Sequence, residues 1–566
     1  MKNRIFGKSH RISTKERFLV IGVILIVSII SPFFFGTPNP NIEIKSQASN
    51  GRGDFFQANF ECSNSYTEHS PISIDGNVDF LNQATNEGWS GTGALGDPIV
   101  ITGYNITNSS GILLQIRNTN LYFQLSNNLF DGGWGSHEIG LFFENVSHGT
   151  IDHNIITKMQ GRLGQDFLDD GGPVTGVCMF NTTMLTFANN IVSEIYGGDS
   201  GEGGSIDINM GDGGTATGIN ITHSRTLTFT NNAIQTVYGG VGSSSRDGGN
   251  GGDARGICMF NTTMLTFTNN IVSGIKAQNG SEGPGAYGGS GGNGTGISLE
   301  EIIDGTLVNN TLFSIIGGQR GKGHSGNGRD GNCVGLLILN GRNITVKRNT
   351  FSNTNGKSLA LSYVDTSTIK DNIIGNCTGQ NGLHTRWGGT AGESLIAITV
   401  QNVNNNTFIG NTISNIRGGD GASQTGYGGA GNGGTAIGFS IVDAFNNVIS
   451  WNSVNTIVGG NGGNGFDYRG TGGDGIGIAL INTINNTLSN NSISNCIGGI
   501  GGNNKVNGTG IPIFTSNSQD NIITTTSITS ISITSTSITF TSLLMALAIS
   551  GFLTYKIRKR RHIKNH

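Results

Sequence analysis

The sequence predicts an all-β protein. Its fold class is a right-handed parallel β-helix solenoid of roughly 10–12 rungs, with glycine-rich inserts on one flank and a membrane segment at each terminus. Three observations lead there. The stretch Gly176–Phe187 (GVCMFNTTMLTF) returns almost unchanged as Gly256–Phe267 (GICMFNTTMLTF). Weaker copies begin near Gly140, Gly218, Gly296, Gly335, Ser358, Ala397, Gly438 and Gly477, mostly 36–42 residues apart, yet Gly335 and Ser358 are separated by only 23. Fourteen residues after each of ten successive starts stands an asparagine: Asn154, Asn190, Asn232, Asn270, Asn310, Asn349, Asn372, Asn411, Asn452 and Asn491.

Reading each copy from its start assigns the elements in order. One residue on, the column is Val177, Ile219, Ile257, Ile297, Leu336, Leu359, Ile398, Phe439, Ile478; three on, it begins Met179, Ile221, Met259, Leu299. That alternation is a strand. Eleven residues on, Phe187, Phe229, Phe267, Leu307, Val346, Ile369, Phe408, Ile449 and Leu488 mark a second. The asparagines come next, at a bend, where stacked side-chain amides bond to one another and satisfy polar groups. Apolar residues at sixteen and nineteen, with Cys377 and Cys496 at nineteen in two rungs, mark a third strand. The 23-residue interval is therefore the bare rung, and the additional 13–19 residues elsewhere are inserts leaving from one corner. A propeller with one blade per repeat fails on the short interval. Helical repeats need amphipathic helices, and no helical period appears.

The ends predict location. Residues 1–17 hold six Lys/Arg and precede the apolar run Phe18–Ile30, the layout of a secretory signal or an uncleaved anchor. Ile538–Tyr555 is long enough to span a bilayer, and Lys556, Arg558, Lys559, Arg560 and Arg561 hold the end of the chain in the cytoplasm. The expected organisation is a signal peptide or anchor (1–36), a polar linker (37–70), an extracellular β-helix (71–525), a Ser/Thr-rich stalk (526–537), a transmembrane helix (538–555) and a basic tail (556–566). Between the basic ends lie 21 basic and 35 acidic residues, a net of −14, which repels nucleic acid and attracts cations.

The rungs resemble the right-handed β-helix repeats of the pectate-lyase-like superfamily, including NosD-type repeats. The entry segment from Ile72 through Trp89, leading to Pro98-Ile-Val-Ile-Thr-Gly-Tyr-Asn105, resembles the opening of archaeal surface proteins of this type. The resemblance implies a short helix capping the rod before its first strand. It leaves activity open, because the fold hosts enzymes and passive surface proteins alike.

Glycine supplies 94 of 566 residues. Runs such as Gly248–Asp253, Gly288–Asn293 and Gly459–Asn464 place it in a Gly-Gly-x pattern, which permits close-packed polyproline II chains. The runs are short and proline is scarce, so mobile, solvated loops are the favoured expectation. The inserts also carry Asp199, Asp207, Asp212, Asp247, Asp253, Asp330, Asp420, Asp467 and Asp474. These make calcium a candidate cation, although no tandem calcium motif is present and solvated acids account for them. No other cofactor is expected.

Charge gathers in one region: Glu300, Glu301, Asp304, Arg342, Lys347, Arg348, Asp365, Lys370 and Asp371. It spans the rungs lacking a long insert, which suggests an open face. Yet Arg342 would stack on Asp365 and Arg348 on Asp371, as structural pairs do. His148 and His153 flank Asp152 without a second His/Cys cluster, so no metal centre is expected. Cys178 and Cys258 fall two rungs apart, beyond disulfide reach. Among fifteen Asn-x-Ser/Thr sequons, Asn105, Asn145, Asn181, Asn261 and Asn343 are candidate glycan acceptors. Gly51-Arg52-Gly53-Asp54 in the linker reads as a local turn.

No convergent carboxylate pair is visible. The expectation is a membrane-anchored, non-catalytic surface rod that binds carbohydrate or other surface proteins, with no catalytic residue assigned. The alternative is a surface polysaccharide lyase or glycoside hydrolase.

Overall fold

The computed structural model describes residues 66–529 except 166–168, 202–210, 245–246, 284, 286, 325, 386–387, 425–427 and 466–468. It also describes an antiparallel pair, Ile42–Glu43 with Asn59–Phe60. That pair belongs to a unit of its own, Met1–Ser65; the second unit begins at Tyr66. The expected signal, the Gly51–Asp54 turn and the 538–555 segment lie outside the described residues. Among those described, no helix is long and apolar enough to cross a membrane.

The second unit is a parallel β-helix. A first sheet of 13 strands runs from Ile72–Asp75 to Gly510–Ser516, and a second of 13 from Ile99–Thr102 to Ile522–Thr524. A third, of 15, runs from Thr67–His69 to Ser527–Ile528 and includes the side strand Met159–Gln160. Each rung gives one strand to each sheet and pairs with the rungs before and after it. The predicted columns are the observed register: Val177 pairs with Ile219, Ile219 with Ile257, and Phe187 with Phe229. At a strand spacing of about 4.8 Å, thirteen strands make a rod roughly 60 Å long.

Alternation puts one apolar set inside. Leu141, Val177, Phe187, Val192 and Ile195 are buried, and Phe187, Phe229 and Phe267 stack at ring distances of 5.3 and 5.9 Å. All ten predicted ladder asparagines are buried. In one step of the ladder, Asn232 Nδ2 donates to Asn270 Oδ1 at 2.9 Å and to the Phe187 carbonyl at 2.7 Å. Asn270 Oδ1 also accepts the Asn232 backbone N–H at 2.9 Å. The ladder starts one rung earlier than expected, at Asn128. The residue before each ladder asparagine turns the chain with positive φ, from Asn189 (54°) and Asn231 (55°) to Asn490 (53°). Asparagine tolerates that left-handed conformation best among residues with a Cβ.

Helix α1 (Asn77–Glu87) covers the N-terminal end. It comes after the strand Ile72–Asp75 instead of preceding the first strand. Phe80 and Ala84 are its buried face, and Phe80 packs on Trp89 at 6.3 Å and on Phe123 at 5.8 Å. The helix stops at Gly88, whose φ of 70° gives a left-handed C-cap.

Candidate functional site

The glycine-rich inserts form an ordered flank, which corrects the expectation of solvated loops. Each insert leaves the third sheet as one extended chain and returns as another. Gly198 N–H donates to the Gly172 carbonyl at 2.9 Å, Gly214 to Gly198 at 2.8 Å, Gly240 to Gly214 at 2.8 Å and Gly252 to Gly240 at 2.9 Å. Outgoing and returning chains thus alternate along the rod. A Cβ on Gly240 would lie 1.9 Å from the Gly198 carbonyl oxygen, and one on Gly318 1.8 Å from that of Gln278. Only glycine fits such contacts, as expected of packed polyproline II chains.

The acids expected to be solvated or to bind calcium cap this backbone. Asp199 Oδ1 accepts the Val241 N–H, Asp212 Oδ1 that of Asn250, and Asp253 Oδ1 that of Asn293, each at 2.7 Å. Asp247, Asp420 and Asp474 accept from Tyr287, Asn461 and Thr509 in the same way. Asp207 and Asp467 lie outside the described residues. Among the described residues no group of three His, Cys, Asp or Glu could hold a metal ion.

One insert is missing. Between Thr350–Ser352 and Lys357–Ser362 there is only Asn353–Gly356. The next insert has side chains at its four inward positions, Gln380, Leu383, Thr390 and Glu393, where the one after it has Gly419, Ala422, Gly431 and Gly434. With no chain beneath them, these side chains fill the slot. Gln380 Nε2 and Asn355 Nδ2 both donate to the Gly317 carbonyl at 3.1 Å. Gln380 is 6% exposed, and its Oε1 has no partner. On the other wall, Arg320 pairs with Asp330 through Nε at 2.7 Å and through Nη2. Burial, then the nearby Asp330 charge, pushes the Glu393 carboxyl up to about 7, against the opposing pull of Arg320. Sequence reasoning missed this seam. Its signal was the four non-glycine residues that come after the 23-residue interval.

The charged region lies elsewhere. Glu300 ends a first-sheet strand, while Arg342, Lys347 and Lys370 sit on second-sheet strands, away from the flank that the missing insert opens. Arg342 does stack on Asp365 by backbone register, but no ion pair joins them. Asp365 Oδ1 accepts the Asn404 N–H at 3.2 Å. Arg348 and Asp371 occupy the left-handed corner column, with φ of 55° and 54°. The ion pair found in this region is Lys370 with Asp371 at 4.0 Å. The expected stacked pairs are therefore corrected: the carboxylates serve corners and backbone.

Asp152 meets His153 Nδ1 at 2.7 Å and accepts Asn189 Nδ2 at 2.8 Å. Burial alone would raise Asp152, but these two bonds outweigh it and hold the carboxyl below its ordinary range. The same bond to Asp152 raises His153. Cys178 and Cys258 are two rungs apart with Asn220 between them, as expected, and are free thiols. Of the candidate glycan acceptors, Asn145 Nδ2 donates to Asn118 at 2.8 Å, Asn181 to Asn145 at 2.7 Å, Asn343 to Asp304 at 2.6 Å and Asn105 to Glu68 at 2.6 Å. Asn261 is exposed with φ of 49°.

An aromatic row, also unforeseen, lies on the outer face of the third sheet. Tyr196 and Tyr238 are register partners with ring centroids 5.3 Å apart, and Lys276 is next in the column. Trp134 lies 5.3 Å from Tyr196 and is 48% exposed. Its turn is fixed: Trp134 N–H donates to the Lys158 carbonyl at 3.1 Å, and His137 is wedged between the carbonyls of Gly111 and Gly132 at 2.6 and 2.9 Å. Polar groups flank the row, with Lys158 on Asp131 at 2.7 Å and Glu194 accepting from Thr157 at 3.1 Å.

No known family model and no curated protein matches the chain. Among solved structures it is similar to a periplasmic alginate epimerase, at 11% identity over 81% of this chain and 85% of that one, with a TM-score of 0.28. It is also similar to a mannuronan C-5 epimerase A-module of Azotobacter vinelandii, at 11% identity over 78% and 93%, TM-score 0.30. A third is the lacto-N-biosidase of Eubacterium ramulus, at 11% identity over 81% and 68%, TM-score 0.30.

Proposed function

We propose that this chain is a membrane-anchored, non-catalytic cell-surface rod that binds extended glycans along its third sheet. The observation that carries the reading is the row Trp134, Tyr196 and Tyr238. Rigid aromatic faces flanked by ion pairs and hydroxyls suit the apolar face and hydroxyl edge of a sugar ring. The rungs repeat about every 4.8 Å, so the row runs along the rod as an extended chain lying on the third sheet would. Exposed sequons such as Asn261 are the sites at which the rod would itself be glycosylated, and neighbouring surface proteins are the other class of partner.

The test incubates the protein with a polysaccharide panel, with and without calcium, scoring retention and released chain ends together. Trp134→Ala is expected to weaken retention about tenfold, the usual cost of removing a central aromatic anchor. Retention unaffected by Trp134→Ala would sink the reading. A polysaccharide-cleaving enzyme is the second reading: burial and the nearby Asp330 charge raise the Glu393 carboxyl to about 7, and a carboxyl raised in this way suits a general acid. Chain ends that appear with the native protein and vanish in Glu393→Gln would establish it.

A further inference from the structure

The two ends of the rod differ. At the N-terminal end α1 closes the core, and Glu68, Asp75, Asp79, Glu87 and Asp97 surround it. At the C-terminal end the sheets finish with Gly510–Ser516, Ile522–Thr524 and Ser527–Ile528, and no described α-helix covers them. Ile523 continues the buried column through Leu488, yet is 37% exposed. Around it, in the last two rungs, Ile497, Phe514 and Ile522 are exposed, and Ile500 and Val506 on the final insert are 68% and 71% exposed. Lys505 and Asp520 are the only charged residues between 475 and 529. Charge is thus sparse at this end, where Arg469 and Asp474 reach the final insert from the one before it, whereas the exposed Val78, Leu81 and Leu95 at the N-terminal end lie among acids.

The sequence supplies the occupant. The apolar stretch Ile538–Tyr555 begins eight residues beyond the rod and leads into a basic cluster. Eight residues reach at most about 29 Å. We propose that the C-terminal end of the rod rests on the lipid surface, with Ile497, Ile500, Val506, Phe514, Ile522 and Ile523 in the interfacial layer. This rests on the anchored reading above. Apolar side chains set against a bilayer settle among headgroups and upper acyl chains, and a rim with few charges, its cations Arg469 and Lys505 able to stay at the headgroups, loses little hydration by doing so.

The experiment uses the full chain in phosphatidylcholine vesicles, with Ile500→Trp, Val506→Trp and, at the opposite end, Leu95→Trp. Vesicle flotation is measured alongside quenching by lipids brominated in the upper acyl chain. The expected result is flotation of all three variants, with the added emission at 500 and 506 quenched roughly twofold and that at 95 unchanged, as interfacial burial of about 5–10 Å requires. Flotation without quenching at 500 and 506 overturns the docking and leaves the anchor standing. Blue-shifted, unquenched emission that tracks protein concentration overturns it in favour of a second copy; independent of concentration, it assigns the cover to the chain's own residues. A chain that does not float overturns docking and anchor together.

Discussion

Asparagine meets two backbone demands in successive positions. In Asn269-Asn270, the first residue takes the left-handed turn at φ 56°, and the second carries the buried ladder. Replacing Asn270 by Ala removes the acceptor of the Asn232 N–H and of one Asn232 Nδ2 proton, the other keeping the Phe187 carbonyl. The expected cost is about 2–4 kcal/mol, at roughly 1–3 kcal/mol for each buried group left unpaired. Asn231→Ala, which keeps the ladder and strains one exposed turn, should cost about 1 kcal/mol. Denaturant titration of both variants separates the roles. Glu393 gives a pH signature. Its folded-state value of about 7 lies above the ordinary 4.5, so the folded chain holds a proton that the unfolded chain releases. Stability should therefore fall as pH rises through that window, by roughly 2 kcal/mol after allowance for solvent screening at a half-buried group. Melting curves from about pH 4.5 to 8 should show this slope in the native chain and lose it in Glu393→Gln. The main ladder was legible because one residue type recurs at a fixed offset. A second ladder, Asn406–Asn447–Asn486–Asn521, buried at its first three members, was not, because earlier rungs hold Leu185, Leu227 and Leu265 at the same position.

Each glycine insert is held by its neighbours more than by itself, so damage should propagate. Gly240→Ala places a methyl group against the Gly198 carbonyl and should cost about 2–4 kcal/mol by overpacking. Amide exchange should show lost protection in the adjoining inserts at residues 197–201 and 211–214 as well as at 239–243. Confinement of the effect to the mutated insert would argue against a continuous layer. Composition misled here because flexible linkers and packed polyproline II chains share a glycine signature. What separates them is acceptors for every outward N–H. The Asp and Asn residues supply these at single positions one rung apart, a spacing visible only once the rungs are aligned. Strand positions were easier to read, because an inward column must be apolar in every rung while an outward one need not be.

At the scale of the whole molecule, stability is a chain of nearest-neighbour terms, as in any solenoid. The seam interrupts the glycine layer but not the three sheets, so the rod remains one object with a divided flank. Copying the Gln278–Gly292 insert between Asn355 and Gly356, with Gln380, Leu383, Thr390 and Glu393 changed to Gly, should join the two blocks and raise the melting temperature. An unchanged or lower value would show that the plug already completes the packing. The fold could be read from spacing alone. The aromatic row could not, since Trp134 belongs to a rung before the inserts begin and meets Tyr196 across the intervening rung.

The asparagine ladder has an electrical consequence. Every step from Asn128 to Asn491 has the same sense: the Nδ2 of one rung donates toward the next rung and Oδ1 faces back. The amide dipoles therefore add along the rod as peptide dipoles add along a helix. Their positive pole lies at the C-terminal rungs, and the ladder makes the rod an electret whose C-terminal end favours negative charge.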